Sequence, residues 1–199
     1  MFATAASRIT NRLICKKVIK DDDLEIYQYG FEQFFLTLLN IATMLLLGII
    51  FGEIYQCIVL TLSFMALRSY SGGYHASTSL RCYFLTVISI SATLSIMKFI
   101  AINRFICLGL LVLSSLVIIL FSPIGTKNKP LDEIEKIIYR KKTIIVWIIE
   151  TCVALVFIVL DITKIHMAIT LAQVIIGISI AFGKIKNYFE MGNKNEKNR

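Results

Sequence analysis

The sequence predicts an all-α, polytopic membrane helix bundle. About six transmembrane segments, both termini cytoplasmic and an N-terminal amphipathic helix are expected. Three observations lead there. First, 57% of the 199 residues are hydrophobic and only 17% are charged, against roughly 45–50% and about 25% in ordinary soluble domains. A soluble chain this short would leave much of that apolar surface in water, whereas lipid accepts it. Second, apolar stretches of spanning length recur along the whole chain. Third, the lysines and arginines sort onto alternate connections.

A spanning helix needs about 20 mostly apolar residues. Residues 2–18 precede any such stretch. There Phe2, Ala5, Ile9 and Leu13 recur at helical spacing among Arg8, Arg12, Lys16 and Lys17, the pattern of a helix lying in the interface or docking on a partner. Asp21-Asp22-Asp23 breaks it. Residues 1–20 hold no apolar core, so no cleavable signal peptide is expected and the first span must direct insertion itself. The spans expected are Phe31–Phe51, Ile54–Leu67, Leu80–Ala101, Phe105–Phe121, Thr143–Leu160 and Ile165–Gly183. The second is short, and reaches Tyr70 only if Arg68 snorkels to the interface; a re-entrant segment is its alternative. Pro123 and Pro130 disfavour helix just after the fourth span. Leu131–Lys142 reads as a separate short surface helix, and 184–199 as a frayed polar tail. Residues 1–199 read as one integral membrane domain, with 1–30 and 184–199 cytoplasmic.

With both ends inside, eighteen of the 21 lysines and arginines face the cytoplasm, and Lys98, Arg104 and Lys164 face outside. That asymmetry fixes orientation and puts the loop from Arg68 to Arg81 on the cytoplasmic side. A basic rim beside anionic lipid accounts for the net charge of +8 without nucleic acid.

The five cysteines, Cys15, Cys57, Cys82, Cys107 and Cys152, include no CxxC pair. No disulfide framework, metal site or cofactor is expected. Cys57, Cys107 and Cys152 read as small hydrophobes. Cys82 differs because of its surroundings, Arg68-Ser-Tyr-Ser-Gly72-Gly73-Tyr74-His75-Ala-Ser77-Thr-Ser-Leu-Arg81-Cys82. Gly72-Gly73 permits a sharp turn or close approach. Ser77, Thr78 and Ser79 are cap candidates for the third span; with Ser79 as cap, Cys82 takes the third helical position. A helix start favours a nearby anion, and the thiolate is the reactive form of cysteine. Arg68 and Arg81 add positive charge.

One continuous helix would separate His75 from Cys82 by about 10.5 Å, whereas a nucleophile–base pair needs near contact. A Cys82–His75 dyad therefore requires the helix to break between them. No acidic residue lies between Glu53 and Asp132, so no third group is supplied locally. Glu53, a serine hydroxyl or a backbone carbonyl could orient the imidazole. The same residues also fit a membrane protein whose loop merely contains histidine and cysteine. His166 reads as interfacial.

In this loop the chain resembles the accessory gene regulator protein B family, through Arg68, Gly72-Gly73, His75 and Cys82, and through the basic stretch Thr126-Lys-Asn-Lys-Pro130. The resemblance covers essentially the whole chain. It implies a membrane cysteine endopeptidase of Gram-positive quorum sensing, with Cys82 as nucleophile and His75 as general base. It implies a pro-peptide substrate of the AgrD type, cleaved on its C-terminal side, and closure of a thiolactone or lactone ring from an acyl-enzyme thioester. It also implies a homodimer. Gly72, Gly73, Arg68, Ser77 and Arg81 would support the site or bind substrate, Arg68 and Arg81 suiting carboxylates.

Two rival classes remain. A small multipass transporter or peptide-export component would carry ionisable residues along several spans; Phe105–Phe121 holds none and Phe31–Phe51 only Glu32. A metal carrier would need three or four convergent ligands, which these cysteines do not offer at matching depths.

Overall fold

A computed structural model describes residues 2–74, 78–125 and 131–197. Among the described residues there are seven α-helices and no β-strand. They are α1 (Phe2–Cys15), α2 (Leu24–Phe51), α3 (Ile54–Ser71), α4 (Ser79–Phe99), α5 (Arg104–Phe121), α6 (Glu133–Val159) and α7 (Thr163–Lys197). Five are long and apolar enough to cross a membrane: α2 with its preceding turn, α4, α5, α6 and α7 as far as Tyr188. This is the helical membrane bundle the composition predicts.

The most interior helix is α7. Its Ala168, Ala172, Ile176 and Ile180 are buried, and α3, α4, α5 and α6 all pack against it. Consecutive helices alternate in direction, and contacts at both ends show it. At one end Lys98 donates to the Phe51 carbonyl at 2.8 Å, and Lys164 pairs with Glu53 at 2.9 and 3.0 Å. At the other, the Ile124 N–H donates to the Ser71 carbonyl at 3.0 Å, joining the segment after α3 to the segment after α5.

The expected span outside those five, α3, is a continuous helix of 18 residues, about 27 Å long. Cys57, Leu60, Thr61, Ser63 and Leu67 are buried on it. Part of its surface meets protein instead of lipid, and polar residues are tolerated between membrane helices. The turn into it is made by Gly52 at φ 70°, left-handed and therefore suited to glycine.

Two expectations are corrected. Leu131–Lys142 is not a separate helix: α6 is continuous over 27 residues, opened by a reciprocal cap between Asp132 and Glu135. At about 40 Å it exceeds the ~30 Å hydrocarbon thickness, so its first turns can stand in the polar region without a break. Nor does helix stop at Gly183; α7 continues to Lys197. Lys184 lies 3.7 Å from the Phe121 ring and Asn187 donates to the Gly125 carbonyl at 3.0 Å, which hold the continuation down. His166, expected at the interface, stands one turn into α7 and is 1% exposed within the bundle.

The expected N-terminal helix is α1, which packs on α2 through the buried Ala6 and Thr10 while Arg8 and Arg12 stay exposed. A Cβ on Gly48 of α2 would sit 2.9 Å from Cys57 Cβ and 3.2 Å from Ile54 Cα, whereas one on Gly30 meets nothing within 4 Å. Gly48→Val should therefore cost about 1–3 kcal/mol by overpacking the α2–α3 crossing, and Gly30→Val far less. Unfolding of both variants in mixed detergent micelles measures the difference; equal losses would contradict this packing.

Candidate active site

Cys82 lies in the first turns of α4, and its surroundings start with how α3 ends. Gly72 and Gly73 have φ of 68° and 124°, conformations that L side chains rarely adopt. Space forbids a side chain as well. A Cβ on Gly72 would run into the Ile124 carbonyl, and one on Gly73 into the Arg68 guanidinium and, at 2.8 Å, Ser179 Oγ. The double glycine thus serves both turn and close approach.

Arg68 holds that turn. Its Nη1 donates to the Gly72 carbonyl at 2.6 Å and to Ser179 Oγ at 2.8 Å, and its Nη2 donates to the Tyr74 carbonyl. The Tyr74 N–H in turn donates to the Ser179 carbonyl at 2.8 Å. Arg68 neither snorkels outward nor offers its fork to a ligand. It is committed to two backbone carbonyls and the Ser179 hydroxyl, and its charge interacts electrostatically with Cys82.

The helix break that a dyad requires is present: α3 ends at Ser71 and α4 begins at Ser79. The cap is Thr78, not Ser79. Its Oγ1 accepts from the Arg81 N–H at 3.3 Å, which moves Cys82 to the fourth helical position. The Cys82 N–H donates to the Thr78 carbonyl at 3.1 Å. The Cys82 side chain is half-buried; Cys57 and Cys107 are buried, and Cys15 and Cys152 exposed. Arg81 is exposed. His75 and Ser77 lie outside the described residues.

Around this end of the bundle cations stand over aromatic rings: Lys142 5.4 Å from the Tyr70 ring and Lys186 5.1 Å from that of Tyr74. Arg140 caps α5 by donating to the carbonyls of Ser122 at 3.1 Å and Ile119 at 3.2 Å. Glu53, one of the groups considered for orienting the histidine, is at the opposite end and bound to Lys164. Among the described residues no group of three or more metal-ligating side chains occurs.

The sequence reading passed over Ser179 and Gly183. A Cβ on Gly183 would lie 2.8 Å from the Gly73 carbonyl carbon and 2.9 Å from the Tyr74 nitrogen. Ser179-x-x-x-Gly183 is a pair of small residues one turn apart, the pattern that lets backbones approach between membrane helices; here it receives the loop.

The family model described as Accessory gene regulator B matches residues 6–180. This chain belongs to the accessory gene regulator B family. Curated relatives agree. "Putative AgrB-like protein 2" of Clostridium perfringens is 31% identical over 139 residues, 63% of this chain and 64% of the relative. "Putative AgrB-like protein" of Listeria monocytogenes is 28% identical over 174 residues, 85% of each chain. The alignment to the Clostridium protein thus spans less than two thirds of that relative's length. No solved structure matches this chain. Membership gives the chain a part in the accessory gene regulator quorum-sensing system, in keeping with its long apolar helices.

Gly183→Ala should drive backbone against backbone and loosen the loop, although alanine favours helix by about 1 kcal/mol over glycine. Gly177→Ala is the control, since its Cβ would meet Ser114 at an ordinary 3.7 Å. Hydrogen exchange at the Tyr74 amide should quicken in the first variant and stay unchanged in the second. Protection retained in Gly183→Ala would refute the docking described.

Proposed function

We propose that this chain is a membrane cysteine endopeptidase that cleaves the C-terminal part of a quorum-sensing pro-peptide and closes the product into a thiolactone or lactone. The observation that carries the reading is Cys82, a half-buried thiol in the first turns of α4 that interacts electrostatically with Arg68, in a chain of the accessory gene regulator B family. The nucleophile is Cys82 and the general base His75. Arg68, Gly72 and Gly73 shape the loop, while Ser77 and Arg81 flank the nucleophile in sequence.

The thiolate attacks the scissile carbonyl, the C–N bond breaks, and the imidazolium gives its proton to the departing amine. The peptide's N-terminal part then stays on Cys82 as a thioester. A cysteine thiol or serine hydroxyl within that peptide attacks the same carbonyl carbon, its proton passes to His75, and Cys82 leaves as thiolate. Thioester exchange is nearly balanced in energy whereas hydrolysis runs downhill, so a site that excludes water favours the ring.

The reading places the active site on the cytoplasmic face, where the basic residues gather, with membrane lipid and a homodimeric partner. The rival transporter or peptide-export reading gains one point, because α6 carries the buried carboxyl Glu150. It offers no use for a half-buried thiol in the first turns of α4.

A precursor peptide whose ring-closing residue is replaced by alanine should trap the intermediate. Mass spectrometry of the reconstituted protein should then find an adduct on Cys82 with the mass of the precursor less its C-terminal fragment. Cys82→Ala should lose adduct and cleavage together. Cys57→Ala, Cys107→Ala and Cys152→Ala should retain both, and His75→Ala should lose cleavage. Cleavage by Cys82→Ala would end this reading. Sidedness is checked separately: in a background lacking other reactive thiols, a cysteine replacing Lys136 should resist an impermeant reagent added to intact cells, and one replacing Ala101 should react.

A further inference from the structure

Buried polar groups gather on α3, α6 and α7 away from Cys82. Glu150, in α6, is 9% exposed, and neither of its carboxyl oxygens has a hydrogen-bond partner of good geometry. Ser63 of α3 and Gln173 of α7 flank the carboxyl. Gln173 is fully buried; its Nε2 donates to Thr151 Oγ1 at 3.2 Å, and its Oε1 is unpartnered, as are Ser63 Oγ, Thr170 Oγ1 and His166 Nδ1. His166, Thr170 and Gln173 follow at intervals of four and three on α7, one helix face. They run about 10.5 Å from the Glu53 end to the level of Glu150.

Unsatisfied polar groups in a membrane interior mark an occupant or a function. The charge balance narrows the choice. On α3 the guanidinium of Arg68 is spent on the loop, and Glu53, just before that helix, is paired with Lys164. On α5 no charged residue follows Arg104. On α6 Lys142 lies two turns away over Tyr70. On α7 the groups are Lys164, bound to Glu53, His166 and, beyond the loop contact, Lys184 and Lys186, while Cys57 of α3 donates to the Met44 carbonyl. Among the described residues no basic side chain pairs with Glu150. A dehydrated alkali cation would want several more oxygens, which broken helices supply elsewhere, but α3, α6 and α7 run unbroken past this level.

We propose that Glu150 is a membrane-embedded proton-binding site, in which the protonated carboxyl donates to Gln173 Oε1 and the proton exchanges, through water entering along the unpartnered Thr170 and His166, toward the end of the bundle opposite Cys82. The step is a proton transfer onto and off one carboxyl oxygen, with no other bond changed. The site is independent of the peptidase chemistry.

Infrared spectroscopy of the full-length protein in bilayers tests it. The wild-type minus Glu150→Gln difference at neutral pH should show a protonated-carboxyl stretching band that shifts in heavy water. Gln173→Leu removes the acceptor but keeps the acid. It should move the band to higher frequency, and it tests the same site if Glu150→Gln fails to insert. The double variant His166→Phe, Thr170→Val should keep the band but slow its isotope shift severalfold. A spectrum with no band dependent on Glu150 or Gln173 would overturn the proposal. So would a band that appears only when sodium is removed, which would make this an alkali-cation site, and so would isotope exchange unchanged in the double variant.

Discussion

The end of the bundle that carries Cys82 depends on one guanidinium. Non-helical backbone near a membrane must find partners for its carbonyls and N–H groups inside the protein. The α3–α4 turn does so through Arg68, whose two terminal nitrogens serve Gly72, Tyr74 and Ser179 together. A planar fork can meet two carbonyls at once, which a lysine's point charge cannot do with the same geometry. The glycines follow from that fork: Gly73 lies so close to it that a Cβ would overlap the guanidinium. Gly183 then follows from Gly73, because the turn rests on α7.

The other end is held differently. Lys164 bonds both carboxylate oxygens of Glu53, which is 9% exposed, and Lys98 caps α2 at Phe51. These are charge–acceptor contacts between helix ends far apart in sequence, and they bracket the short turn at Gly52. Between the two ends, α7 carries small and polar residues inward and packs on four other helices. In lipid the apolar surface gives little preference for helix over lipid contact, so close packing and buried polar contacts such as Trp147 Nε1 to Ser115 Oγ at 2.8 Å carry more of the association.

Hydropathy made the helices legible, and the Gly72-Gly73 pair made the break before Cys82 legible, because both are local signals. The errors share a cause. Window-averaged apolarity reports contact with lipid, so it ended α7 at Gly183 and began the fifth span at Thr143, where charge appears. Helix continues there because Asp132 and Glu135 cap one start and because Phe121 and Gly125 meet Lys184 and Asn187 beyond Gly183. Arg68 looked available because its acceptors are backbone carbonyls and a serine 111 residues away, a contact that spacing along the chain cannot reveal. Glu150 escaped because one carboxyl hardly lowers the mean of an apolar span, and His166 because it follows Lys164, which does reach the helix end.

Moving the cap from Ser79 to Thr78 changes what the start of α4 can offer. At the third position Cys82 would have kept its own N–H outside the helix ladder. At the fourth, that N–H is spent on the Thr78 carbonyl and the Arg81 N–H on the Thr78 hydroxyl. The N–H groups of Ser79 and Leu80 are then the ones without an acceptor inside the helix. An anion beside Cys82 meets the partial positive charge of this terminus and the full charge of Arg68, but no donor from the backbone of Cys82 itself. That separates this arrangement from sites in which the nucleophile's N–H helps hold the oxyanion. It makes the cap residue, as well as the cysteine, a determinant of the chemistry the loop can support.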